Sequence, residues 1–124
     1  MKAIVLLLSW LILQITALVG AAPHDRHLHS LAHLRRGAVG GVYICKDVNL
    51  KGTCTYYDAL NQCINIYGPM DDNASSVVPI HGSVCVFYSN AGCTGRSLTT
   101  DKPVYSLGIF GWNDQISSVK CSAE

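Results

Sequence analysis

Two hexapeptides of one design stand 42 residues apart, Asp71-Asp72-Asn73-Ala74-Ser75-Ser76 and Asn113-Asp114-Gln115-Ile116-Ser117-Ser118. Each has Asn or Asp at its first two positions and Ser at its last two, and each runs into an apolar stretch, Val77-Val78 or Val119-Lys120-Cys121. Upstream, Tyr43 to Gly52 aligns with Val86 to Gly95 at an offset of 43. One supersecondary unit is therefore written twice, and the fold must pack the two copies on each other. The fixed positions of the hexads carry only oxygen side chains. Such donors suit a hard cation such as calcium, which takes about six to eight oxygens, and suit zinc or copper poorly.

The chain opens with Lys2, an apolar run from Ala3 to Val19, and the small residues Gly20, Ala21 and Ala22. That pattern predicts a secretory signal peptide over residues 1–21, cut after Ala21, which leaves no membrane segment after its removal. Residues 22–36 hold four of the five histidines, His24, His27, His29 and His33, and end in Arg35-Arg36. The dibasic pair before Gly37 marks a pro-segment removed by a kexin-type protease; a disordered His-rich arm that is never cut is the alternative. A His-rich tract can bind metal, but so short an isolated helix is marginal, which favours a solvated tail.

Residues 37–124 are expected to form one small domain. Five basic residues there meet seven acidic ones, so no basic surface calls for nucleic acid. A domain of this size buries little and usually needs staples. All six cysteines (Cys45, Cys54, Cys63, Cys85, Cys93 and Cys121) fall inside it, so three disulfides are expected in an oxidising compartment. Six cysteines allow many pairings. The arrangement expected here closes each hairpin with its own bridge, Cys45–Cys54 and Cys85–Cys93, and leaves Cys63 for Cys121.

Short runs rich in β-branched and aromatic residues, punctuated by Gly, Asn and Pro, predict strands at Val42–Cys45, Gly52–Tyr57, Ser75–Ile80, Ser83–Ser89, Thr94–Thr100 and Gln115–Ser122. Asn61–Tyr67 reads as a further strand or a short helix, and Pro79 implies an edge or an end. No helical period persists over three turns. The fold class is all-β, two four-stranded Greek keys forming a β-sandwich.

From about Gly41 to Cys121 the chain resembles a single βγ-crystallin domain, of the small, secreted, cysteine-rich kind found in fungi. The family's hairpin pattern reads Tyr43, Leu50, Gly52 in the first unit and Val86, Cys93, Gly95 in the second, where Val86 and Cys93 stand in aromatic positions. Both hexads fit the family's calcium motif at every defined position. The resemblance implies two calcium sites built by exchange between the units. Asp72 would join the Gln115 carbonyl and Ser117 hydroxyl, and Asp114 would join the Asn73 carbonyl and Ser75 hydroxyl. Backbone carbonyls near Val48 and Ala91 would complete the protein shells. With one carboxylate per site, affinity should be modest, roughly 10⁻⁵ to 10⁻³ M. Asn73-Ala74-Ser75 is also a glycosylation sequon inside the first hexad.

Enzymatic chemistry has little to work with. The domain holds one histidine, His81, in a turn with Gly82, one glutamate at its end, and no Gly-x-Ser-x-Gly. The sequence thus points to a secreted, extracellular, non-enzymatic calcium-binding module. The alternative is a disulfide-rich secreted effector, toxin or protease inhibitor that acts on an extracellular protein or a cell-wall glycan, with the hexads serving as turns. Tyr56, Tyr57, Tyr67, Tyr88 and Tyr105 suit packing better than a sugar-stacking face. Trp112, next to the second hexad, is a core anchor.

Overall fold

The computed structural model describes residues 37–124; the expected signal peptide and the His-rich segment expected as a pro-segment, with Ala21, Arg35 and Arg36, lie outside the described residues. Seven strands follow one another: β1 (Gly41–Cys45), β2 (Cys54–Asp58), β3 (Ile64–Asn65), β4 (Ser76–Pro79), β5 (Ser83–Asn90), β6 (Thr94–Thr100) and β7 (Ser118–Ala123). Single 3₁₀ turns occupy Val48–Leu50, Gly68–Met70 and Leu107–Phe110. The strands form two antiparallel sheets, ordered β2-β1-β4 and β3-β7-β5-β6.

The sequence repeat is kept in the hydrogen-bond register. In the first hairpin Tyr43 faces Tyr56 and Ile44 faces Thr55; in the second Val86 faces Thr99 and Phe87 faces Leu98, each 43 residues on. The last strand of each unit also docks in matching register, Val77 against Ile44 and Val119 against Phe87. A one-residue slip would turn every inward side chain outward. The buried alternation of Ser83, Cys85 and Phe87 along β5 is what holds the register.

The units exchange their third segments. Ile64 and Asn65 of the first unit pair with Val119 and Ser118 of the second, while Val104 of the second unit bridges to Val77 of the first. This modifies the expectation of two four-stranded units, because the first sheet has three strands. Pro103 has no amide hydrogen to offer, and the chain winds into a 3₁₀ turn from Leu107. The ladder on that side therefore shrinks to a single bridge, the two bonds between Val77 and Val104 at 3.1 and 2.9 Å, with the Leu107 N–H donating to the Ser75 carbonyl at 2.9 Å and the Asn49 N–H to the Tyr105 carbonyl at 2.8 Å beside it. The Asn61–Tyr67 region yields only the two-residue β3, flanked by left-handed backbone at Asn61 and Gly68. Pro79 ends β4, which lies at a sheet edge.

Between the sheets, Val42, Ile44 and Val77 meet Cys85, Phe87, Val119 and Cys121. Met70, Ala74, Leu107, Trp112 and Ile116 close the core from the connecting segments. Burial of such apolar surface is the main favourable contribution to folding.

Three disulfides form, but only Cys45–Cys54 matches the expected pairing. The others are Cys63–Cys93 and Cys85–Cys121, not Cys85–Cys93 and Cys63–Cys121. The reason is strand length. From Cys85 to the end of β5 at Asn90 the backbone runs about 16 Å, well past the ~7 Å limit of a disulfide, and Cys93 lies in the turn beyond. Cys85 instead faces Cys121 across the β5–β7 ladder, with both inside the core. Cys63 is exposed and meets the hairpin tip.

Phe87 is fully buried at the centre of this packing, whereas Ile109 is 80% exposed. Replacement of Phe87 by Ala is expected to cost about 3–5 kcal/mol in denaturant unfolding, and Ile109→Ala no more than about 0.5 kcal/mol.

Candidate metal centre

Each hexad turns sharply at its second residue. Asp72 and Asp114 have φ of 52° and 57°, in the left-handed region that Asp tolerates better than most residues. The turns aim the loops at each other. The Asp72 N–H donates to the Ile116 carbonyl at 3.1 Å, and the Asp114 N–H donates to the Ala74 carbonyl at 2.9 Å. Each aspartate is thereby held on the opposite unit's hexad. Ala74 and Ile116, which fill the fourth positions, are fully buried and anchor the loops to the core.

The fifth residue joins hexad to hairpin through the backbone: Ser75 N–H to the Cys45 carbonyl and Ser117 N–H to the Tyr88 carbonyl, both at 2.9 Å. The sixth does so through its side chain. Ser76 Oγ accepts from the Leu50 N–H at 3.0 Å and donates to the Asp47 carbonyl at 2.5 Å. Ser118 Oγ accepts from the Cys93 N–H at 2.9 Å and donates to the Asn90 carbonyl at 2.6 Å. These two serines fold the hairpin tips down over the hexads. In the sequence both counted among the oxygen positions of the hexads but not as clamps on the hairpins, although a Ser repeated at the border of an apolar strand was a signal for a buried side-chain-to-backbone bond.

The hairpin glycines permit the same approach. A Cβ on Gly95 would lie 2.5 Å from Ser89 Oγ, and one on Gly52 2.5 Å from Asp47 Oδ2, both at positive φ.

The surroundings of the two hexad aspartates differ. In the first, Ser117 Oγ donates to Asp72 Oδ1 at 2.9 Å, joining residues 45 apart in sequence. Gln115 belongs to the same loop, and Ser118 bonds the tip that carries Ala91, whose carbonyl accepts from Thr94 Oγ1 at 2.9 Å. In the second, the Asp114 carboxylate accepts from Asn113 Nδ2 at 3.2 Å. No hydrogen bond joins it to Ser75 among the described residues. Ser76 brings down the tip bearing Val48, and Asn73 Nδ2 donates to the Pro69 carbonyl at 3.0 Å. Asn73 is exposed, so its sequon lies on an accessible turn.

Among the described residues no group of three or more His, Cys, Asp or Glu gathers in one place. Any ion here would be held by carbonyls, hydroxyls and a single carboxylate, a donor set that fits calcium. Burial pushes the Tyr57 hydroxyl up, a hydrogen bond with the Thr55 side chain pulls it down, and the charge of Asp71 pushes it up further. Tyr57 stays a neutral phenol beside the first hexad. Trp112, buried just before the second hexad, lies under the Arg96 guanidinium at 4.7 Å, and Arg96 Nη2 donates to the Gly111 carbonyl at 3.3 Å.

No protein-family model and no curated protein matches this sequence. Solved structures do match. A βγ-crystallin domain from Flavobacterium johnsoniae aligns with a TM-score of 0.59 at 23% identity, covering 67% of this chain and 94% of that one. The chain has the βγ-crystallin fold. A structure concerned with the evolution of the eye-lens βγ-crystallin domain fold aligns with a TM-score of 0.61 at 22% identity, covering 72% and 91%. The βγ-crystallin domain of Abundant Perithecial Protein from Neurospora crassa, solved in its Ca²⁺-bound form, aligns with a TM-score of 0.58 at 14% identity, covering 72% and 96%.

If Ser76 and Ser118 hold the tips of this βγ-crystallin fold independently, their removal has local signatures. Ser76→Ala is expected to cost about 1–3 kcal/mol and to speed amide exchange at Leu50 while leaving Cys93 protected; Ser118→Ala reverses that pattern in a residue-resolved exchange experiment.

Proposed function

We propose that the protein is a secreted, non-enzymatic calcium-binding module, with two ions held between its Greek-key units. The observation that carries this reading is the Asp72–Ser117 pair, in which a carboxylate from one unit meets a hydroxyl of the other at 2.9 Å. The matching solved domain in its Ca²⁺-bound form adds support.

In the first centre Asp72, the Gln115 carbonyl, Ser117 and the Ala91 carbonyl hold the ion. In the second Asp114, the Asn73 carbonyl, Ser75 and the Val48 carbonyl do so, with water completing each shell. Because every set draws on both units, each ion links one Greek key to the other. Binding to the folded state alone stabilises it by mass action, about 2.7 kcal/mol per site at 100-fold excess over Kd. The ion's role here is mechanical, since the loops offer no paired acid and base.

A second reading, a disulfide-stapled effector that binds an extracellular protein or cell-wall glycan, draws on the exposed Tyr67, Ile109 and Phe110. Calcium titration of the purified protein, followed by calorimetry, Trp112 fluorescence and melting temperature, separates the two. Two ions at roughly 10⁻⁵ to 10⁻³ M and a rise in melting temperature are expected. Asp72→Ala and Asp114→Ala should each remove one ion, and together abolish the rise. A flat titration at millimolar calcium would sink the calcium reading.

A further inference from the structure

Four ties hold the tip of the β5–β6 hairpin. Ser118 supplies two of them, to the Cys93 N–H and the Asn90 carbonyl. The Gly92 N–H donates to Asn65 Oδ1 at 2.7 Å. The fourth is covalent: Cys93 is bonded to Cys63, two residues before Asn65. The tip of the first hairpin repeats three of these, through Ser76 to Leu50 and Asp47 and through the Asn49 N–H to the Tyr105 carbonyl at 2.8 Å. It lacks the fourth, for Leu50 stands where Cys93 stands in the second unit.

This covalent tie is also the most accessible of the three. Cys63 is exposed and Cys93 half-buried, while Cys85, Cys121 and Cys45 are buried and Cys54 is half-buried. Thiol–disulfide exchange requires a thiolate to reach one of the two sulfurs. Cys63 offers that approach from solvent.

We propose that Cys63–Cys93 is a thiol-exchange site for dithiol reductants, and that its redox state sets the affinity of the centre formed by Asp72, Gln115, Ser117 and the Ala91 carbonyl. The inference rests on the calcium reading above. One thiolate of the reductant attacks the Cys63 sulfur, forms a mixed disulfide and releases Cys93 as a thiolate, which takes up a proton. The second thiol of the reductant, as its thiolate, then displaces Cys63, so two electrons pass to the protein and the reductant leaves as its own disulfide. Leu50 keeps φ 58° at the matching position without a disulfide, so release of Cys93 acts by removing the covalent tie between the tip and the segment before β3, not through its backbone angle. Hydrogen bonds alone then hold the tip, and the Ala91 carbonyl, two residues earlier, gains freedom with it. The second centre has no cross-unit disulfide on its tip and keeps its shape.

The test is limited reduction of the purified, folded protein with dithiothreitol, then alkylation, peptide mass mapping, residue-resolved amide exchange and calcium calorimetry. Cys63 and Cys93 should be alkylated first, Gly92 and Cys93 should lose amide protection, and one of two calcium sites should weaken by about tenfold or more, the size of effect that supporting groups have on metal affinity. The Cys63→Ser/Cys93→Ser double variant should match the reduced protein. Earlier opening of another disulfide overturns the proposal, as does unchanged calcium binding after Cys63–Cys93 has opened. An oxidised protein that takes no calcium fails before any reductant is added, and that result overturns the calcium reading together with the affinity claim resting on it.

Discussion

The structure depends on a reciprocal grip between two copies of one unit. Asp72 reaches the backbone of Ile116 and Asp114 reaches that of Ala74, so each hexad is finished by the other. The strand exchange works the same way, with β3 taken up by the second sheet and Val104 by the first. A half of this chain alone would leave Phe87 or Ile44 without a facing sheet and its turn amides without acceptors. Buried backbone groups left so are costly, and the two halves therefore fold as one cooperative body.

Much of this was legible in the sequence because it was written twice. A single Asp-Asp-x-x-Ser-Ser stretch is ordinary turn chemistry; two copies downstream of matching hairpins pointed to one repeated unit. The strand at Ser83–Ser89 was read from its β-branched and aromatic residues, and the edge or end position of Pro79 from proline's own chemistry. What escaped were features that depend on three-dimensional distance. The pairing of Cys85 with Cys121 follows from strand register, and that of Cys63 with Cys93 from the crossing of β3 into the second sheet. Neither event is local. Ser76 and Ser118 escaped for a different reason: a hydroxyl that clamps a hairpin looks, in one dimension, like any other turn serine.

The two units also show where the repeat has been allowed to diverge. At the hairpin position after the tip, the first unit has Leu50 and the second Cys93, both in the left-handed region at φ 58° and 55°. The first tip is held by hydrogen bonds and the short bridge Cys45–Cys54 within its own hairpin, whose ends are already paired. The second is held by a bridge between units. In the chain-entropy account a disulfide restrains the unfolded chain more as its loop lengthens. Cys63–Cys93, with a separation of 30, and Cys85–Cys121, with 36, therefore contribute more than Cys45–Cys54, with 9.

Left-handed backbone at non-glycine residues gathers where these devices act. Of the six such residues described, Asn49, Leu50 and Cys93 lie at the tips, Asp72 and Asp114 in the hexads, and Asn61 ahead of β3, with Asp72 matching Asp114 and Leu50 matching Cys93 across the repeat. Strain of about 1–3 kcal/mol per such residue persists only where surrounding contacts over-determine it. A domain this small has little stability to spare. The repetition of the same strained positions in both units shows that the conformation belongs to the design of the loop. It turns the amide of each hexad aspartate toward the opposite unit, where the Ile116 and Ala74 carbonyls accept from Asp72 and Asp114.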